Sequence, residues 1–380
     1  MSATISRPPL SDRLTTSKVI AVLRASHVSA LAPVCDVLAE EGILSLELTL
    51  SRTRGDRRDG LVMNSPPSVL TFGEALVGYA SVEDNLRTGT QFTRFPGGAE
   101  LNVAVGLTRL GVRTTWASVL GNDAHGDYLA DAVDQLGIAP VIRRAAGSTA
   151  LMFKAGGADG DPEVLQVRHG TAFARHAEAL LTNDVLSLEG IQHLHLTGIV
   201  LGISPVVRAA ALTLLDAALN AGLSVSFDPN LRLNLWPDQE EMRGMINIVA
   251  ARATVVMPGL AEGRLLTGAN EPNDIAQFYL RRGVHEVVIK LGAAGARGWT
   301  TDGETAQSRS FTVTPIDTVG AGDGFAAGYL AAFLASCSLQ ARVDQGAAVG
   351  ALVTTCRGDL AAMPHRKEVD ALLNSTRTPL

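Results

Sequence analysis

The chain has 380 residues, 46% of them apolar, which is enough for a substantial core. A formal net charge of −6 and a pI near 5.8 argue against a nucleic-acid groove or an anionic membrane surface. Cys35, Cys337 and Cys356 are too few and too scattered for a disulfide framework or a zinc ribbon, so a reducing cytoplasm is expected. Residues 1–18 lack the apolar stretch of a signal peptide, and Phe325 to Leu339 is too short to span a bilayer.

In chain order, Val19-Ile20-Ala21-Val22-Leu23-Arg24 reads as a strand, Val28 to Glu41 as a helix and Leu44 to Leu50 as a second strand. Together they form one βαβ unit with parallel strands. Residues 51–67 are charged, rich in Gly and Pro and without apolar period, which predicts a linker. From residue 68 to about 376 a new α/β pattern runs. Strands are expected at Val69–Gly73, Thr114–Val119, His193–Thr197, Ser224–Asp228, Thr254–Met257 and Glu286–Lys290. Helices are expected between them, at Leu101–Leu110, Tyr128–Leu136, Pro205–Ala221, Glu240–Ala251 and Asn273–Arg282, and then at Gly322–Ser336 and Gln340–Thr355. Such alternation predicts a doubly wound, mostly parallel sheet. Two segments, about 79–95 and 149–169, break it with short polar-apolar runs that read as antiparallel strands of a small sheet over a cleft.

Asp317-Thr318-Val319-Gly320-Ala321-Gly322-Asp323-Gly324 leads into an apolar helix. Its glycines let backbone N–H groups converge at a helix N-terminus, where the helix dipole also favours an anion. A carboxylate in that place would repel a phosphate unless it has a task, and accepting the proton of an attacking hydroxyl is such a task. No Gly-Lys dipeptide occurs, so a Walker A loop is absent. His193 and His195 alternate on a strand, but no third ligand has suitable spacing for a metal, so they read as satisfied strand histidines.

The run Asp-Thr-Val-Gly-Ala-Gly-Asp resembles the C-terminal signature of the ribokinase-like (PfkB) carbohydrate kinases. Phe95-Pro96-Gly97-Gly98-Ala99-Glu100-Leu101-Asn102-Val103-Ala104 resembles their N-terminal signature. The resemblance spans Val69 to Leu373. It implies a ribokinase-like fold with a small β-sheet lid, ATP and Mg²⁺ as cofactors, and a small-molecule sugar as partner. Asp323 is then the catalytic base, and the amides of Gly320, Ala321 and Gly322 form the anion hole. Gly97, Gly98 and Asn102 face the sugar. Lys290, Gly292 and Gly295 belong to the nucleotide-binding turn. Glu262, in Pro258-Gly259-Leu260-Ala261-Glu262, stands in an element tied to magnesium and phosphate, although Gly259 replaces the family's Asn. No residue is assigned as a direct metal ligand, and a homo-oligomeric assembly is expected.

Gly73-Glu74, Asp228-Pro229-Asn230-Leu231-Arg232 and Leu235-Trp236-Pro237 resemble the 2-keto-3-deoxygluconate kinase branch, whose substrate is a sugar acid. The resemblance implies that Arg232 reaches the substrate carboxylate and that Lys154 and Arg168 supply basic groups from the lid side. A guanidinium fork suits a carboxylate because it can bind both oxygens. A fructokinase or a 2-keto-3-deoxygalactonate kinase is the alternative. Residues 12–50 are similar to the start of the 2-keto-3-deoxy-6-phosphogluconate aldolases, through Val19 to Arg24, Ala39 to Ile43 and Leu46 to Leu50, with Glu47 at the acid/base position. A bifunctional kinase and lyase would need a whole barrel and a Schiff-base lysine. Lysine occurs only at Lys18, Lys154, Lys290 and Lys367, so the fragment is expected to be a fused remnant.

Overall fold

A computed structural model describes residues 21–25, 46–50, 68–83, 85–156, 163–182, 185–309, 311–356, 358 and 360–375. The chain divides into two compact units, Met1–Met63 and Asn64–Leu380. In the first, β1 (Ala21–Ala25) and β2 (Leu46–Leu50) pair in parallel, with Ala21 opposite Leu46. The parallel pairing agrees with the sequence reading. The helix expected between them lies outside the described residues.

Among the described residues, the second unit contains thirteen strands. They are β3 (Ser68–Phe72), β4 (Leu76–Ser81), β5 (Phe92–Gly97), β6 (Arg113–Gly121), β7 (Ala139–Ala145), β8 (Ala150–Ala155) and β9 (Glu163–Val167). They continue with β10 (His193–Thr197), β11 (Ser224–Asp228), β12 (Val255–Val256), β13 (Glu286–Lys290), β14 (Ala296–Thr300) and β15 (Thr305–Gln307). Nine of them form one sheet in the order β15-β14-β13-β12-β11-β10-β3-β6-β7. From β13 to β7 every pairing is parallel, while β14 and β15 add antiparallel edge strands.

Both faces of this sheet are covered, which is why its inner strands read as nearly unbroken apolar runs. On β3, Leu70 and Phe72 enter a core with Phe173, Leu196, Phe227, Tyr279 and Trp299. Val69, on the other face, packs with Val255, Val288, Phe325, Tyr329, Val343 and Val349. The layers are helical: α1 (Ala99–Arg109), α2 (Ala124–Asp134), α3 (Ala172–His176), α4 (Ile199–Gly202), α5 (Pro205–Asn220) and α6 (Gln239–Ala250), followed by α7 (Leu260–Thr267), α8 (Pro272–Leu280), α9 (Ala321–Leu334), α10 (Leu339–Val353) and α11 (Arg366–Ser375). Local chemistry starts several of them. The Ser204 hydroxyl accepts from the Val207 N–H at 3.1 Å, with Pro205 opening α5. Among the described residues no helix is long and apolar enough to cross a membrane.

The small sheet has the order β5-β4-β8-β9 and lies over the cleft as a lid. It corrects one expectation. β4 pairs antiparallel with β5, and β8 with β9, but the central pair β4·β8 is parallel, with Gly78 opposite Met152. Each hairpin is local, whereas their junction joins strands some seventy residues apart, where local pattern carries no information on direction. The fold is thus ribokinase-like: a mixed, mostly parallel main sheet with a smaller mixed sheet as lid.

Candidate active site

Beneath the lid lies a cavity of about 690 Å³, lined by residues of both sheets and of the loops that follow the main-sheet strands. Its floor is the N-terminus of α9. Gly320, the residue before that helix, has φ 83°, a left-handed conformation that glycine adopts without strain. Asp317 shapes the approach, its Oδ1 accepting from the Val319 N–H at 3.0 Å. The turn that follows presents first-turn N–H groups with no partner inside the helix, at its positive end. Gly320, Gly322 and Asp323 line the cavity, and Ala321 lies between them in the same turn without lining it.

Asp323 is buried and held from two sides. Asn102 Nδ2 donates to its Oδ2 at 2.7 Å, and Asn230 Nδ2 donates to its Oδ1 at 3.2 Å. Asn102 comes from the first turn of α1, which begins after Gly98. Gly98 has φ 138°, and a Cβ there would fall 2.7 Å from the Glu74 carbonyl oxygen, so the backbone bends too closely for any side chain. Asn230 follows β11 at φ 39° and is fixed by its own N–H, which donates to Asp228 Oδ1 at 3.1 Å.

Lys290, at the end of β13, places Nζ 2.6 Å from Asp228 Oδ2 and 3.6 Å from where a Gly322 side chain would begin. Burial pulls its ammonium down, but Asp228 and Glu262 together outweigh that, and the group stands above its usual value. Glu262 lines the same side. Its Oε1 accepts from the Leu231 N–H and its Oε2 from the Gly259 N–H, each at 2.7 Å. Gly292 and Gly295 form the tight turn after β13, closed by the Leu291 N–H donating to the Gly295 carbonyl at 2.8 Å, and do not line the cavity.

The opposite wall holds the arginines. Arg168 is 6% exposed yet lines the cavity, and its Nε and Nη1 make no hydrogen bond among the described residues. Its Nε is 3.5 Å from Glu74 Oε2, while Glu74 also accepts from the Thr171 hydroxyl. Glu100, which accepts from the Thr197 hydroxyl, is buried close by. Burial raises both carboxyls, Glu100 to about 7, and lowers Arg168. Arg232 lines the cavity and donates to its own loop, with Nη1 3.1 Å from the Leu231 carbonyl and 3.4 Å from that of Asn230. Leu76, Met152, Val164 and Gln166 form the lid's share of the wall.

Of the residues assigned from sequence, Gly98, Asn102, Arg168, Arg232, Glu262, Lys290, Gly320, Gly322 and Asp323 therefore meet at one cavity. Gly97 stands at the end of β5 opposite Leu76 and does not line it. The Lys154 ammonium pairs with Asp317 Oδ2 at 2.7 Å, and Lys154 is not among the residues that line the cavity. Asn230, Asp228 and Gln166 were not singled out. Asn230 was visible only as the third residue of Asp-Pro-Asn, and its partner Asp323 lies 93 positions away. His193 has both ring nitrogens on serine hydroxyls, Ser224 and Ser226 at 2.7 Å each, and His195 Nδ1 shares Ser226 at 2.8 Å. Burial lowers both histidines to about 3, so they stay neutral within the sheet.

Residues 67–366 match the pfkB family carbohydrate kinase profile, and the chain belongs to that family. It is 38% identical over 315 residues to the 2-dehydro-3-deoxygluconokinase of Bacillus subtilis, which covers 81% of this chain and 96% of that protein. It is 32% identical over 320 residues to the probable fructokinase-4 of Arabidopsis thaliana, covering 80% of this chain and 96% of that one. The fructokinase of Xylella fastidiosa, solved with bound ATP, superposes with a TM-score of 0.71 at 26% identity, over 82% of this chain and 99% of that one. The protein is a phosphotransferase that acts on a small sugar or sugar-acid substrate.

Proposed function

We propose that the substrate is a sugar acid, 2-keto-3-deoxygluconate, and that the chain transfers the γ-phosphoryl group of ATP to its terminal hydroxyl. The observation that carries this reading is Arg168. A guanidinium nine-tenths buried at the cavity wall, whose Nη1 makes no hydrogen bond among the described residues, can be completed there by a ligand anion. Arg232 lines the same cavity and gives the substrate carboxylate a second cationic neighbour. The 38% identity to a 2-dehydro-3-deoxygluconokinase, against 32% to a fructokinase, leans the same way.

In this reading Asp323 takes the proton of the attacking hydroxyl, and the amides of Gly320 to Gly322 face the charge that gathers on the transferring group. Asn102 and Asn230 donate to the carboxylate and aim it. Gly97 and Gly98 let the backbone of the β5–α1 turn approach the sugar. Lys290 lies beside the anion loop, and Gly292 and Gly295 keep the following turn tight for the nucleotide. Mg²⁺ would offset phosphate charge. Glu262 fits it, being a cavity-lining carboxylate fixed by two backbone amides, and among the described residues no cluster of three ligating side chains forms a separate cage. That suits an ion held by one or two carboxylates together with phosphates and water. We assign this chemistry to residues 68–376. Residues 12–50, outside the family match, are an aldolase-like fragment without catalytic function, joined by the linker 51–67.

A coupled ADP-release screen across sugar acids and neutral hexoses tests the assignment, with Arg232→Ala and Arg168→Lys alongside wild type. Each variant is expected to raise KM for the sugar acid at least about tenfold more than for a neutral ketose, as loss of a charge-assisted contact implies. A wild type that prefers fructose would instead establish the fructokinase reading.

A further inference from the structure

The ammonium of Lys154 belongs to a lid strand, yet its partner belongs to the loop that opens α9. On β8, Met152 and Lys154 point to the same face, as alternate residues of a strand do. Across the hairpin, Gln166 stands opposite Met152 and Val164 opposite Lys154. Met152, Gln166 and Val164 all line the cavity. Whatever occupies the cavity beneath the lid therefore touches the strand and the face from which Lys154 projects.

Lys154 Nζ lies 2.7 Å from Asp317 Oδ2, with side-chain exposures of 7% and 11%. The Phe95 ring of β5, its centroid 4.7 Å from Nζ, packs on the same ammonium. The other oxygen of Asp317 holds the Val319 N–H, one residue before Gly320. The base of the loop is fixed separately, by the N–H groups of Ile316 and Asp317 donating to the Thr354 carbonyl at 2.7 and 3.1 Å. One carboxylate thus joins the lid to the backbone that turns into the anion loop. A buried ion pair contributes little net stability, and its best-attested use is to fix one arrangement over another.

We propose that Lys154 is a positioning residue which, through Asp317, couples the lid over the sugar to the phosphoryl-binding loop, so that sugar and nucleotide strengthen each other's binding. This rests on the reading of Gly320 to Gly322 as that loop. Coupling of this kind is reciprocal: each ligand raises the affinity of the other by the same factor.

The test measures, by calorimetry on the full chain, the affinity of AMP-PNP with Mg²⁺ with and without saturating 2-keto-3-deoxygluconate, and separately with fructose. Wild type is expected to show at least about fivefold coupling with the sugar it phosphorylates. Lys154→Met should bring the factor to about one and lower kcat about tenfold, raising the sugar KM at saturating ATP by about the lost coupling factor while sugar affinity without nucleotide changes less than about threefold. Lys154→Arg should keep most of both. The double variant Lys154→Met/Asp317→Asn, which leaves no unpaired buried charge, should lose coupling and kcat as the single variant does, and it carries the test if the single fails to fold. No coupling in wild type, coupling retained within about twofold in Lys154→Met, or wild-type kcat in the double variant would each overturn the proposal. A wild type that phosphorylates neither sugar but still binds both ligands cooperatively would count against the substrate assignment alone.

Discussion

The side-chain amide of Asn102 donates to Asp323 Oδ2 across 2.7 Å, joining residues 221 positions apart. It brings the first turn of α1 against the first turn of α9, so the two glycine-rich signatures are halves of one device. Asn230 completes it from a third segment. Two amide donors, one on each oxygen, fix the orientation of the carboxylate.

Asp323→Asn should lower kcat at least about 10²-fold with little change in nucleotide binding, the scale for losing a positioned base. Asn102→Ala should lower kcat by less, about tenfold, because the base remains but is held on one side only. Steady-state kinetics with a nucleotide-binding titration check both. Near-normal turnover in Asp323→Asn would remove that residue from the mechanism.

Glu100 links stability to pH. Its folded value of about 7 stands above the ordinary 4.5, chiefly through burial, and Arg168 and Glu74 are the charged groups facing it. Below pH ~4.5 the group is protonated in both states, so its stabilising share is fully present. As pH rises through the folded value, the unfolded chain has already released the proton, and that share is lost. Glu100→Gln stays neutral throughout. In urea unfolding its stability relative to wild type should rise between pH 5 and pH 8, by about 2–3 kcal/mol from linkage. A gap that stays constant over that window would show that Glu100 ionises normally.

Gly98→Ala should destabilise the fold by more than about 1 kcal/mol, because alanine is strained at a φ of 138° and its Cβ meets the Glu74 carbonyl at 2.7 Å. The same shift displaces α1 and with it Asn102. Thermal unfolding should therefore show a lowered Tm together with reduced kcat. A variant with wild-type Tm would mean that the turn relaxes freely.

A chain beginning at Met63 should retain kinase kcat/KM within a few-fold. The compact second unit starts at Asn64, and the family match starts at residue 67. Full-length protein given 2-keto-3-deoxy-6-phosphogluconate should release no pyruvate, and borohydride should trap no lysine adduct. Loss of kinase activity on truncation would show that the N-terminal residues are integral to the kinase, and a trapped adduct would make them a lyase.

What the sequence made legible was local chemistry. Gly320 and Gly98 announce backbone conformations that other residues avoid, and the apolar strands announce a sheet covered on both faces. What it hid depended on partners far along the chain. The β14–β15 hairpin was missed because Gly298 interrupts a short alternation and its hydrophobic contacts, Leu339 and Val343, come from a later helix. α7 was missed because its eight residues are too few to show a period, and its N-terminus is set by Glu262 folding back on Gly259. Lys154 was legible as a basic residue of the lid, but its pairing with Asp317 was not, since nothing near it marks a residue 163 positions away.

The central place of β3 bears on how the chain emerges from the ribosome. It pairs with β6 on one side and β10 on the other. Once Gly121 has been synthesised, one edge of β3 can be satisfied. The other waits until His193 appears. During that interval a strand buried along its whole length in the finished protein presents an open row of backbone donors and acceptors, the kind of edge that recruits strands from other chains. The nascent protein is therefore most exposed to misassembly midway through translation, and a chaperone that shields β3 would have its greatest effect there.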